Sequence, residues 1–251
     1  MSGHSKWHSI RHKKAAVDAK RGKLFSRLAK DITIAAQIAG GEPDNNPRLR
    51  TAIQAGRAAN MPMKNIENAI KKGTGELGGA AIEEIVYEGY GPGGTAFIVE
   101  TATDNKNRTA AEIRHVFSKQ GGNLGESGCV SYLFNRKGQL VVAAPQDKED
   151  DLMEIALDAG AEDVEFNDGE DSFTISTEPS DEILAAVNEA FEKSEFDIES
   201  SEIRLVPSTT VTLEKDNAMN AIRMYDAFDD HEDVQAVHTN FDIPEELLAE
   251  L

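Results

Sequence analysis

The apolar pattern of this 251-residue chain changes its period once, at a glycine-rich stretch, and that change dictates a mixed architecture. From about residue 13 to 72 the apolar residues recur at helical spacing. Leu24, Leu28, Ile32, Ala35 and Ala39 lie on one face, and Gly40-Gly41 stops the run. Asn46 followed by Pro47 is a cap and first-turn signal, after which Leu49, Ala52, Ile53 and Gly56 form a second apolar face. Pro62 opens a third helix with Met63, Ile66 and Ile70 inward, and Gly73 ends it. The predicted product is a small helical bundle. Gly73 to Gly79 reads as a linker.

Beyond the linker the period is two. Ile85-Val86-Tyr87 and Ala96-Phe97-Ile98-Val99 read as strands joined by Gly89-Tyr90-Gly91-Pro92-Gly93-Gly94, and a helix follows from about Thr109 to Lys119. Cys129 to Phe134 reads as another short strand. From about Gly138 to Val206 the order is strand, helix, strand, strand, helix, strand, with Asn167-Asp168-Gly169 as a hairpin signal. That order is the ferredoxin-like pattern. A last strand-helix-strand, Val211 to Val237, has no partner of its own and is expected to complete the sheet begun near residue 82. The expected fold is therefore α+β and multidomain. Residues 1–79 form a basic tail and helical bundle, 80–133 and 207–251 a discontinuous α+β domain, and 134–206 an inserted ferredoxin-like domain.

Charge is segregated along the same divide. Residues 1–80 carry 15 Lys+Arg against 6 Asp+Glu, a net of +9, whereas the remainder carries 11 against 39, a net of −28. An electrostatic footprint for a polyanion thus sits at one end of a chain whose formal charge is −19. Lys6, Arg11, Lys13 and Lys14 offer point charges to phosphates, and Trp7 offers a stacking surface for an unpaired base. Lys20, Lys23, Arg27 and Lys30 fall in one arc of roughly 80° if the first helix is continuous through Gly22. Arg50 with Arg57, and Lys64 with Lys71, form further basic rows. The bland alternative is a solvated helix face behind a basic tail. Lys106 and Arg108, beside the Thr109 or Asn107 cap of the next helix, suggest a second anion contact at its positive end.

Other chemistry is poorly supported. His4, His8 and His12 recur every four residues, but nothing supplies a fixed fourth ligand, so no metal is expected. Gly91-x-Gly93-Gly94 lacks the Lys-Ser/Thr of a phosphate-binding loop and precedes a strand. The acidic runs Asp147–Asp151 and Asp229–Asp233 have neither EF-hand spacing nor a paired histidine motif. There is no nucleophile elbow, no Cys-x-x-Cys and no Ser/His/Asp set. The single cysteine, Cys129, points to a reducing compartment, and no apolar run is long enough for a membrane span. No enzyme activity and no cofactor are expected, and a cytoplasmic monomer is the default. The sequence also shows no clear helix-turn-helix with a recognition helix.

Several long motifs stand in order. They are Gly3-His4-Ser5-Lys6-Trp7, Asp18-Ala19-Lys20-Arg21-Gly22-Lys23, Asn46-Pro47-Arg48-Leu49-Arg50, Asn60-Met61-Pro62, Lys71-Lys72-Gly73, Tyr87 to Gly94 and Thr103 to Thr109. Together they resemble the YebC/PmpR family. The resemblance implies a non-enzymatic, cytoplasmic protein of three domains, the third ferredoxin-like and inserted in the second. It also implies a probable DNA-binding transcriptional regulator, or alternatively a translation factor on ribosomal RNA, as in the mitochondrial translational activator of cytochrome c oxidase. The family's basic surface maps here onto Lys13, Lys14, Lys20, Arg21, Lys23, Arg27, Arg48, Arg50, Lys71 and Lys72. A metal-dependent hydrolase is the third and weakest reading. The expected partner is DNA or ribosomal RNA, with no membrane involved.

Overall fold

The structure is a computed structural model and describes residues 17–167, 171–244 and 247. Lys6, Trp7, Arg11, Lys13, Lys14 and the three N-terminal histidines, expected to contact phosphates or bases or weighed as metal ligands, lie outside these residues, as do Asp168 and Gly169 of the expected hairpin. Lys20 lies within the first helix, and its side chain is also outside the description. The described chain forms two compact units. One comprises the residues up to Cys129 with Met219–Val237; the other comprises Val130–Ala218 with the residues from His238 onward.

The first unit opens with helices α1 (Val17–Ala39), α2 (Pro47–Ala58) and α3 (Met63–Gly73). Ile32, Ala35, Ala36, Leu49, Ile53, Met61, Ile66 and Ala69 form their shared core. Asn46 explains why α1 stops and α2 starts where they do. Its Oδ1 accepts from the Leu49 amide at 3.0 Å, which caps α2, while its Nδ2 donates to the Ala35 and Gly40 carbonyls at 2.8 and 2.9 Å. A buried side-chain amide thus satisfies groups at both helix ends. At the end of α3, a Cβ on Gly73 would lie 2.3 Å from the Thr33 carbonyl oxygen, so only glycine lets α3 approach α1 this closely. Leu24 and Met63, expected inward, are 45 % and 50 % exposed. Phe25 and Leu28 take the inward positions near Leu24, and Met63 is the first residue of α3, a turn before Ile66.

The same unit contains a four-stranded sheet of order β3-β1-β2-β9: β1 (Glu83–Tyr90), β2 (Ala96–Thr103), β3 (Asn123–Leu124) and β9 (Val234–Thr239, as far as Val237). Helices α4 (Lys106–Lys119) and α7 (Lys215–Asp229, from Met219 on) belong with it. β1 and β2 pair antiparallel from Glu83↔Thr103 to Tyr90↔Ala96. The glycine loop joins them as a hairpin. A Cβ on Gly91 would lie 2.4 Å from the Phe97 ring, which accounts for a glycine there. Phe97, Phe117 and Phe228 form a fully buried aromatic cluster, with the last two ring centroids 4.8 Å apart. Ile34, Ile82 and Ala102 form one buried cluster between bundle and sheet, so the expected boundary at residues 79 and 80 falls inside this unit.

The second unit holds β4 (Phe134–Ala143), α5 (Glu149–Asp158), β5 (Asp163–Asn167), β6 (Ser172–Thr177), α6 (Asp181–Glu192) and β7 (Asp197–Pro207). Its sheet runs β5-β6-β4-β7 with every pair antiparallel, the ferredoxin-like strand order. Leu140, Val142, Phe173 and Ile175 face Leu152, Ala156, Val187 and Phe191 in its core. Two local expectations are corrected. Cys129 to Phe134 is not a strand: Ser131–Leu133 is a short 3-10 turn, and the strand begins at Phe134. Of the last strand-helix-strand, only β9 joins the sheet begun near residue 82. β8 (Val211–Thr212) instead pairs in parallel with β10 (Phe241–Asp242), through Val211 N–H to the Asn240 carbonyl and Leu213 N–H to that of Asp242.

Candidate nucleic-acid interface

The basic arc of α1 is where expectation and structure part. Lys23, Arg27 and Lys30 do lie at i, i+4 and i+7, but they face the corner between α7 and β9 and are committed to its carboxylates. Lys23 Nζ reaches Asp229 Oδ2 at 2.9 Å and Asp230 Oδ1 at 3.3 Å. Arg27 Nη2 bonds Asp229 Oδ1 at 2.9 Å and the Asp229 carbonyl at 3.1 Å, and its Nε bonds the Val234 carbonyl at 3.0 Å. Lys30 Nζ bonds Asp233 Oδ1 at 2.8 Å and the carbonyls of Ala102 and Glu232 at 2.9 and 2.8 Å. All three donors of that ammonium are placed.

Asp233 is the centre of this network. Its other oxygen, Oδ2, lies 2.7 Å from Arg108 Nη2, 2.8 Å from the Thr109 hydroxyl and 3.2 Å from that of Thr103. Burial opposes the charge of Asp233, but hydrogen bonds from Lys30, Arg108 and Thr109 outweigh it and hold the carboxyl well below the usual range. Asp229 behaves alike: burial opposes its charge, and the Lys23 and Arg27 hydrogen bonds bring it down to about 2. Arg108, the expected second anion contact, therefore already has its anion. The cap of α4 is Asn105, which accepts from the Arg108 amide at 3.2 Å. Thr109 is buried against Asp233 and does not cap, so α4 starts at Lys106. Lys106 itself is exposed.

Glu112, His231 and Asp233 bring three metal-type donors within 4.8 Å of one another. Each already has partners: His231 Nε2 meets Glu112 at 2.9 Å, its Nδ1 accepts from the Asp233 amide at 3.1 Å, and Asp233 is held by two cations. The arrangement suits an ion-pair network and not a cation site.

The remaining candidates lie on α2 and α3. Arg50, Arg57, Lys64, Lys71 and Lys72 are exposed, with no carboxylate in ion-pair range among the described residues. Arg21 is also exposed and stacks over the Phe25 ring at 5.5 Å. Arg48 is half-exposed and forks onto Glu84 at 3.1 and 2.5 Å. In the second unit, the sheet face turned away from α5 and α6 carries cross-strand rows such as Asp163–Ser176–Gln139–Glu202 and Glu165–Thr174–Val141–Ser200. These rows hold acids and no aromatic residue, the reverse of a base-stacking platform. Among the described residues, no helix is long and apolar enough to cross a membrane.

Two family models cover most of the chain. One, described as the TACO1/YebC protein N-terminal domain, matches residues 5–76; the other, described as the TACO1/YebC second and third domain, matches residues 82–241. The chain belongs to the TACO1/YebC family. Relatives run its full length. A protein of Chlorobaculum parvum is 53 % identical over 251 residues, covering 100 % of this chain and 99 % of its own. One from Desulfatibacillum aliphaticivorans is 54 % identical over 250 residues and is covered completely on both sides. Both carry the name "Probable transcriptional regulatory protein". Among solved structures, a conserved hypothetical protein from Aquifex aeolicus is similar, with a TM-score of 0.81 and 52 % identity over 95 % of this chain and 97 % of that one. This chain shares the mixed α/β fold of that solved relative, and its ion-pair network at Asp233 joins Lys30, in the stretch matched by the first model, to Arg108 and Asp233 in the stretch matched by the second.

Proposed function

We propose that this chain is a non-enzymatic regulatory protein that binds nucleic acid, DNA in the first place, through its helical bundle and basic N-terminal segment. The observation that carries this reading is the set Arg50, Arg57, Lys64, Lys71 and Lys72. Five exposed cations without carboxylate partners among the described residues stand on two short helices of a chain with a net charge of −19. A strongly acidic chain keeps such a surface apart from its own anions when it has an external anion to meet. Lys6, Arg11, Lys13 and Lys14 add charge to the same end, with Trp7 for stacking, and the acidic remainder repels a polyanion and so orients it. The names of the relatives support the regulatory role. The domain reading that accompanies it is a bundle, an α+β domain in two segments and a ferredoxin-like insert over 134–206, in a cytoplasmic monomer.

Crosslinking in cells, followed by sequencing DNA and RNA from the same sample, tests the choice of target. Enrichment of promoter DNA is expected. Enrichment of ribosomal RNA without promoter DNA would overturn the reading in favour of a ribosome-bound translation factor.

A further inference from the structure

We infer that α3 is the helix that enters the major groove of duplex DNA and that Asn68 on it reads a base edge; this rests on the DNA-binding reading above. The connection between α2 and α3 is four residues, Ala59-Asn60-Met61-Pro62, with Asn60 in the left-handed region at φ 58°. Met61 is buried and its amide bonds the Gly56 carbonyl at 2.9 Å, which fixes the turn to the core. α2 and α3 each pack chiefly on α1 and touch each other little. That splayed pair across a short, pinned turn is the arrangement by which a helix-turn-helix presents its second helix.

The composition of α3 fits the role. Its inward side is Ile66 and Ala69, and Gly73 closes onto α1. At 100° per residue, Lys64, Asn68 and Lys71 fall within about 60° of one another on the opposite side. All three are exposed, with Lys72 and Asn65 on one side of them and the exposed Glu67 on the other. At 11 residues α3 is about 16 Å long, and a helix about 10–12 Å across with its side chains fits a groove about 12 Å wide. An asparagine amid lysines is the side chain that pairs bidentately with adenine, while lysines hold guanine or phosphate. Arg50 and Arg57, seven apart on the flank of α2, are placed for the backbone, where contacts position without specifying. The Lys23, Arg27 and Lys30 row of α1 is excluded because those cations are occupied by Asp229, Asp230 and Asp233.

The test is selection by the full chain from a pool of random-sequence duplexes about 20 base pairs long, repeated with Asn68→Ala, Lys64→Ala and the Arg50→Ala/Arg57→Ala pair. Each variant is first checked for an unchanged melting curve, as expected of exposed positions. Expected is a preferred sequence for the parent chain. Asn68→Ala should lose about 10-fold or more at the preferred site while binding unselected duplex within about 2-fold of the parent. The arginine pair should weaken all sequences alike. Duplex binding with no preferred sequence, or a preference that survives both Asn68→Ala and Lys64→Ala, would overturn the assignment of α3 and leave the DNA-binding reading standing. No duplex binding at all would overturn both.

Discussion

Asp31 and Asp229 show how the same side chain acquires opposite character within one unit. Asp229 sits between Lys23 and Arg27 and stays charged to low pH. Asp31, on the same helix as those cations, is raised to about 6, chiefly by burial, with Arg48 lowering it and Glu84 raising it. Its neighbour Gln235 donates toward it at 3.5 Å and holds a buried Oε1 with no hydrogen-bond partner among the described residues. The raised carboxyl favours the fold when protonated, so its contribution is complete below about pH 4 and lost as pH rises through 6. Asp31→Asn should therefore stabilise the protein at pH 7 by about 2 kcal/mol, and the gain should vanish by pH 4. Urea unfolding at the two pH values measures this, and an equal effect at both would contradict the account. Asp229 supplies the opposite slope: its stabilisation is present above about pH 4 and fades as pH falls towards 2.

At the scale of elements, α1 is a strut fastened along one side to the α7–β9 corner, and Asp233 is the fastening with the most partners. Asp233→Asn leaves Lys30 and Arg108 facing a neutral amide. It should cost about 3 kcal/mol in urea or thermal unfolding, because breaking one side of a buried pair strands the other. A loss under about 1 kcal/mol would show that the network is incidental. The same joint explains what the sequence conceals. The helices, the alternating strands and the ferredoxin-like order are local patterns and were legible from period alone. So was the Asn46-Pro47 start of α2. The i, i+4, i+7 cations of α1 were legible as a row, but the row is the same whether it awaits a phosphate or a carboxylate some 200 residues away. Likewise the cap of α4 was expected at Thr109 or Asn107, whereas Asn105 takes it: Asn107 lies in the first turn, Thr109 is drawn in beside Asp233, and only tertiary contact sends β8 to β10. Asn60, which tolerates the left-handed region, and Pro62 marked the short α2–α3 connection in sequence, but the burial of Met61 that pins it is a tertiary fact.

At the scale of the whole molecule the net charge of −19 conceals a division of labour. Some cations hold the first unit together and others face outward. The claim that everything else depends on is that the outward set on α2 and α3 makes the nucleic-acid contacts. It is tested most directly by the salt dependence of affinity of the full chain for a labelled 20-base-pair duplex. Changing Arg50, Arg57, Lys71 and Lys72 together to alanine should reduce the slope of log affinity against log salt by about 3 to 4, about 0.9 for each phosphate lost. Lys23→Ala should leave it unaltered. A slope that survives the fourfold change but falls with Lys23→Ala would place the contact on α1 and contradict the account.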